Sequence, residues 1–137
     1  MIKYRYITII TVVLIIYSCV HKPDPPPKCV AGSGGSDMIV VFAKHGNTPI
    51  PNYFTHPDTA FIKFGTTISP GSNPENFDTF FVSEPGEDHI HCMGLKCGDY
   101  FIYRTAWDSV ENVRRYGVYG ISVSETSGEE IITVPVN

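Results

Sequence analysis

The sequence predicts an all-β protein built as a seven-stranded antiparallel β-sandwich, and three observations support this prediction. Short runs rich in β-branched and aromatic residues recur along the chain. Clusters of Gly, Pro, Asn and Asp separate these runs, as turns and loops require. No stretch shows a sustained helical period with capping residues. We therefore expect two packed sheets joined by short loops.

The apolar and alternating runs place the seven strands in chain order. They span residues 38–44, 59–64, 78–83, 89–93, 100–107, 118–125 and 131–136. The segments between them, such as SPGSNPEN, GLKCG and DSVENVRRYG, have loop composition. Pro135 has no N–H to donate to a neighbouring strand, so the last strand is expected at a sheet edge.

The first 18 residues have the pattern of a secretory signal peptide. Lys3 and Arg5 precede the apolar run ITIITVVLIIY, whose helical rise of about 16 Å is roughly half the hydrocarbon thickness of a membrane. The segment IYSC at residues 16–19 resembles the bacterial lipobox, in which a lipidated cysteine becomes the mature N-terminus. This resemblance implies that Cys19 is the lipidation site, and acyl chains such as palmitate would anchor the protein to a membrane.

Residues 19–36 are predicted to be a lipid-anchored flexible linker, because they combine a proline-rich half with a Gly- and Ser-rich half. Residues 37–137 are then about a hundred residues long, the usual size of one domain. The expected location is the outer membrane or the cell envelope, and the sequence leaves open whether the domain is periplasmic or surface-exposed.

Net charge argues against nucleic acid as a partner. Loss of Lys3 and Arg5 with the signal peptide leaves eight Lys and Arg residues against fourteen Asp and Glu residues, a net charge of −6. Nucleic-acid-binding domains carry basic patches instead. The remaining partners are the membrane, through the N-terminal lipid, and an envelope protein or a glycan.

Several phrases of the domain resemble transthyretin-like or carboxypeptidase-regulatory-like sandwich domains, which small lipoproteins of Gram-negative bacteria also carry. The phrase PIPN at residues 49–52 resembles the opening of their second strand, and GLKCGDY at residues 94–100 resembles a turn whose leucine fills the core. The insertion YFTHPD, at residues 53–58, lengthens the first loop relative to that family. The resemblance implies an Ig-like sandwich and a structural or binding module, with no catalytic residues.

His89 and His91 are the candidate metal ligands. They are two residues apart on a predicted strand, so their side chains leave the same face, whereas Ile90 and Cys92 leave the other. A structural zinc or copper site needs more ligands, and His45, His56, Asp88 or another loop would have to supply them. The alternative is a pair of surface histidines beside an acidic turn.

The cysteines of an exported domain are expected to form disulfides. The favoured pair is Cys92 with Cys97 across the MGLK turn, where closure of so short a loop contributes about 2 kcal/mol. If lipid occupies Cys19, three cysteines remain and one thiol is left over. A bridge that involves Cys29, or no internal bridge at all, are the alternatives.

Aromatic side chains suggest a second kind of site. Tyr103, Trp107 and Tyr116 are a possible binding surface for a sugar or a protein, although packing beneath the loop at residues 108–117 would also explain the first two. Arg104 falls on the core side by alternation, and there it needs a carboxylate or a backbone partner.

These features predict an exported, lipid-anchored, non-enzymatic module for binding or assembly, without a cofactor. The alternative function is binding of zinc or copper by the histidine pair at residues 89 and 91.

Overall fold

A computed structural model describes residues 29–126 and 128–137. It contains eight β-strands, which we number in chain order: β1 Ser33–His45, β2 Thr48–Pro49, β3 Thr59–Phe64, β4 Thr79–Val82, β5 His89–Leu95, β6 Gly98–Asp108, β7 Val113–Val123 and β8 Glu129–Pro135. A short 3-10 turn, Pro74–Asn76, precedes β4. Among these residues there is no helix whose length and apolar character would let it cross a membrane. The predicted signal peptide and Cys19 lie outside the described residues.

The described part of the chain forms two four-stranded sheets, which agrees with the predicted all-β class. The first sheet centres on β1, which pairs with β2, β5 and β8, and the second has the order β4-β3-β6-β7. Apolar side chains from both sheets meet in one core, the arrangement of a β-sandwich. Its fully buried members include Ile39, Val41, Ile62, Ile90, Leu95, Tyr100 and Ile102.

The seven predicted strands lie in the right positions. Their number is wrong, and so is the expected antiparallel direction of one strand pair. Each of the seven predicted runs overlaps a strand, and the eighth strand is the two-residue β2. β8 pairs with β1 in parallel, with Met38 opposite Glu129, so the sheets are not wholly antiparallel. The reason is that β7 ends beside the start of β6, at the end of the sandwich where β1 also begins. The returning chain therefore runs along β1 in the same direction.

Two strands extend into segments that the sequence assigns to linker and loop. β1 begins at Ser33, inside the predicted linker, and Ser33 pairs with Leu95. β7 begins at Val113, because a tight turn reverses the chain directly after β6 and Asn112 adopts a positive φ of 57° there. Asn tolerates this left-handed conformation better than most residues. The charged stretch of the predicted loop thus becomes the first half of a strand.

The predicted Cys92–Cys97 disulfide is not formed, and Cys97 is bonded to Cys29 instead, with the two Cα atoms 5.1 Å apart. Strand alternation explains the correction, because the Cys92 side chain points into the core and is fully buried. Burial raises the pKa of the Cys92 thiol to about 12, so it is protonated at neutral pH. The observed bridge spans 68 residues, and closing a loop of that length stabilises the fold by about 4 kcal/mol.

Arg104 lies on the core side, as alternation predicts, and it has both kinds of expected partner. Its guanidinium lies 3.5 Å from the carboxylate of Asp58, and both side chains are fully buried. It also donates to the Val41 carbonyl and, over 3.1 Å, to Asn52 Oδ1. Burial raises the pKa of Asp58, and the positive charge of Arg104 acts against that rise. The inserted loop thus supplies the counter-charge for an arginine in the core.

Candidate metal centre

β5 presents two histidines side by side on the outer face of the first sheet. Ile90 and Cys92 are fully buried, so the intervening His89 and His91 point outward, which confirms the predicted facing. Their Nε2 atoms are 2.9 Å apart. The His89 and His91 side chains remain 22% and 31% exposed.

Glu87 is a candidate third ligand that sequence reasoning missed. It lies in the EPGED turn before β5, and its Oε2 is 3.5 Å from His91 Nε2 and 3.9 Å from His89 Nε2. The signal was present in the sequence, because Glu87 continues the two-residue spacing of the histidines, E-x-H-x-H. The turn before β5 places the Glu87 carboxylate on the same side of the sheet as the two histidines. We call Glu87, His89 and His91 the β5 cluster.

The spacing of these atoms matches the bond lengths of a transition-metal ion. For a triangle with sides of 2.9, 3.5 and 3.9 Å, the point equidistant from the three atoms lies about 2.0 Å from each. Zinc–nitrogen and zinc–oxygen bonds are about 2.0 to 2.2 Å long. An ion at this point would lie within bonding distance of all three ligand atoms.

Asp88 orients one of the histidines for this role. Its Oδ1 lies 2.7 Å from His89 Nδ1, so the imidazole donates its N–H there and Nε2 keeps the lone pair that a metal needs. The same hydrogen bond lowers the pKa of Asp88. Carboxylate–histidine pairs of this kind fix ring orientation in metal sites. The Phe42 ring packs 4.9 Å from the His89 ring and limits its movement further.

The β5 cluster contains polar atoms that lack ordinary partners. Glu87 Oε2 and His91 Nδ1 are buried without a hydrogen bond within the described part of the chain. The ion pairs found there for Glu87 involve only the two histidines, with no Lys or Arg. A buried carboxylate oxygen without a hydrogen bond is costly, and a bound cation would remove that cost.

A second cluster of similar composition lies where β1 and β6 end. His45, Asp108 and Glu111 also bring three possible ligand atoms within 4.8 Å of one another, and we call them the β6 cluster. Arg115 lies 2.8 Å from Asp108 and also pairs with Glu111. Its hydrogen bond lowers the pKa of Asp108. A cation is therefore already supplied to this cluster by the protein.

The other predicted ligands do not join the histidine pair. His45 lies 3.6 Å from Asp108, and His56 stacks on Trp107 with ring centroids 4.0 Å apart. Asp88 contributes as an orienting group and not as a third ligand. Cys29 and Cys97 lie near Glu125, but their disulfide removes the thiolates that a metal would bind.

The predicted aromatic surface is only partly one surface. Tyr103 and Tyr116 stack with ring centroids 6.1 Å apart on the outer face of the second sheet. Trp107 lies apart from them and is covered by His56, with Arg114 5.9 Å from its ring centroid. The two tyrosines continue instead into a series of neighbouring rings, which we call the aromatic row: Phe80, Phe61, Phe77, Tyr103 and Tyr116.

The transthyretin-like resemblance stays a prediction, and a functional conclusion for this chain has to rest on its geometry. A search of protein-family models, of curated proteins and of solved structures returned no match to the sequence or the fold.

Proposed function

We propose that this protein is an exported, lipid-anchored metal-binding protein of the cell envelope. It binds one divalent ion of the zinc or copper(II) class through Glu87, His89 and His91. The observation that carries the proposal is the convergence of three ligand atoms around a point about 2.0 Å from each. Imidazole nitrogen with a carboxylate oxygen is a donor set that suits zinc and copper(II).

Binding, and not catalysis, is the proposed role. Three protein ligands leave a coordination position for water or for a ligand of another molecule, which allows an ion to be acquired and released. Cys92 is the one described cysteine outside the disulfide, and the burial that raises its pKa to about 12 makes it a poor nucleophile. The protein is proposed to act without a further cofactor.

The envelope location rests on the leader, on Cys19 and on the disulfide. A Cys29–Cys97 bridge suits an oxidising compartment outside the cytoplasm. Labelling of expressing cells with radioactive palmitate tests the anchor. The wild-type chain is expected to incorporate label and the Cys19→Ser variant to incorporate none, whereas equal labelling would refute the assignment of the lipid to Cys19.

Metal titration of the full-length protein in detergent tests the function. Isothermal titration with Zn²⁺ and with Cu²⁺ is expected to give one tight site per chain in the wild type and none in the His89→Ala, His91→Ala double variant. The matched control is the His45→Ala, His56→Ala double variant, which removes two histidines elsewhere and should bind as the wild type does. Equal binding by both double variants would overturn the proposal.

The aromatic row favours a second candidate function, the binding of a glycan. Phe80 is 62% exposed and Tyr116 is 59% exposed, so both ends of the row present ring surface to solvent. Neighbouring rings lie about 6 Å apart across four strands. Such a row offers flat apolar contacts to successive sugars, and the tyrosine hydroxyls offer hydrogen bonds.

Native electrophoresis through gels that contain soluble peptidoglycan fragments tests glycan binding. Wild-type protein is expected to be retarded, and Tyr116→Ala is expected to lose the retardation. Tyr119→Ala is the control, because residue 119 lies on the same strand but faces the other way. If Tyr116→Ala migrates as the wild type does, the aromatic row does not bind these sugars.

A further inference from the structure

The outer face that holds the β5 cluster continues with two methionines. Met93 follows His91 by two residues on β5, so its side chain leaves the same face, and it is 60% exposed. The strand therefore carries the donors His89, His91 and Met93 in one column, H-x-H-x-M. A thioether sulfur comes next to two imidazoles with no residue between them on that face.

Met38 brings a second thioether to the same place from the neighbouring strand. Ile39 pairs with Cys92 and Asp37 pairs with Leu95, and the shift in register between these pairs leaves Met38 opposite Met93 and Gly94. Directly opposed side chains in an antiparallel pair have Cβ atoms about 4.5 to 5.5 Å apart. Met38 is itself partly exposed, so the two thioether side chains share the outer face of this sheet.

The donor atoms on this face change from hard to soft between Glu87 and the two methionines. At one end Glu87 supplies a carboxylate oxygen, a hard ligand that suits divalent ions. At the other end Met93 and Met38 supply thioether sulfurs, soft ligands that select copper(I) over zinc. His91 lies between the two ends and can serve either, because imidazole binds both kinds of ion.

We propose that His91, Met93 and Met38 form a copper(I) site beside the β5 cluster. The inference rests on the proposed metal-binding function and makes it more specific, since the ion handled by this face is then copper in both oxidation states. Glu87, His89 and His91 take copper(II), and the two methionines make the same face competent for copper(I). No electron transfer by the protein is required, because each state binds as it is supplied.

Anaerobic competition with a chromophoric copper(I) chelator tests this site in the full-length protein. The variants are Met93→Leu and Met38→Leu, which keep an apolar side chain of similar size and remove only the sulfur. The control is Ile131→Leu, on the exposed outer face of the same sheet and 64% exposed. Each methionine variant is expected to bind copper(I) at least 10-fold more weakly than the wild type and to keep the wild-type zinc affinity. The Ile131→Leu control is expected to keep the wild-type affinity.

The outcomes separate this inference from the function on which it rests. If both methionine variants bind copper(I) as tightly as the wild type, the copper(I) site is refuted even when the wild type binds zinc. If the wild type binds no zinc or copper(II) but binds copper(I) in a methionine-dependent way, the copper(I) site stands and the Glu87 ligand set is refuted. An equal loss of zinc and copper(I) affinity in Met93→Leu would also overturn the proposal, because sulfur would then not discriminate between the ions.

Discussion

The β5 cluster and the β6 cluster hold the same kinds of ligand, but only one of them lacks a cation. Each brings histidine and carboxylate atoms within 4.8 Å. In the β6 cluster Arg115 lies 2.8 Å from Asp108 and also pairs with Glu111, so both carboxylates already have a cationic partner. In the β5 cluster Glu87 Oε2 is buried without a hydrogen bond among the described residues. The two clusters therefore differ in whether a protein cation already accompanies the carboxylates, and on the proposed function this difference makes the β5 cluster the metal site.

Loss of a histidine ligand is the change that should separate the two clusters most. His91→Ala is expected to weaken zinc binding more than about 100-fold, because even partners outside the ligand shell are worth about 10- to 100-fold. His45→Ala removes the histidine of the β6 cluster and should leave zinc affinity unchanged. Competition with a zinc-responsive dye measures the zinc affinity of both variants. A larger loss of affinity in His45→Ala than in His91→Ala would place the ion at the β6 cluster and contradict the prediction.

Neutralising the carboxylate should give the next largest effect. Glu87→Gln keeps the size of the side chain but removes the charge, and we expect zinc affinity to fall about 10- to 100-fold, or roughly 1.4 to 2.7 kcal/mol. Glu111→Gln makes the same change in the β6 cluster, where Arg115 is the partner that loses a contact. The same dye competition should find no change in zinc affinity for Glu111→Gln. Unchanged affinity in Glu87→Gln would mean that the ion is held by the histidines alone.

Removing the orienting carboxylate should cost less than removing a ligand. Asp88→Asn can no longer hold the His89 ring through an ionised acceptor, so zinc affinity is expected to fall about 10-fold. Because protons compete with the metal for imidazole nitrogen, affinity in every variant should also decline in acid. Titrations between pH 7.5 and 5.5 measure both effects. If Asp88→Asn binds zinc as tightly as the wild type at each pH, Asp88 has no orienting role.

Removing Arg115, the cation of the β6 cluster, should give the smallest effect, and this effect should be a gain of metal binding. Arg115→Gln frees Asp108 and Glu111, so a second and weaker zinc ion is expected to bind at the β6 cluster. Isothermal titration should then show two sites per chain instead of one. The Arg114→Gln variant is the control, because Arg114 lies at the neighbouring position and is not paired with either carboxylate. A single site in Arg115→Gln would show that an unpaired cluster is not sufficient for binding.

Much of the fold follows from local patterns, and the exceptions have long-range causes. Strand alternation located β3 and β5 and the outward facing of His89 and His91. The parallel direction of β8 depends on which end of the sandwich β7 reaches, and no local pattern contains that. The Cys29–Cys97 bridge likewise depends on where the chain enters the sandwich, 68 residues before its partner.

Only part of the candidate site could be predicted from the sequence, for a similar reason. The histidine pair is a local pattern, and Glu87 extends it by the same two-residue spacing, although it lies in a turn where strand alternation is not expected to apply. The roles of Asp58 and Asn52 beside Arg104 were not predictable, because the inserted loop must fold back over β6 to bring them there. The pairing of Arg115 with Asp108 was not predictable either, because the two residues lie on different strands, β7 and β6.

The most direct test of the central claim is the imidazole nitrogen spectrum of the ¹⁵N-labelled protein on addition of one equivalent of Zn²⁺. Binding at the β5 cluster predicts that the Nε2 signals of His89 and His91 shift together while those of His45 and His56 stay in place. If the signal of His45 shifts instead, or if none of the four rings responds, the β5 cluster is not a metal centre.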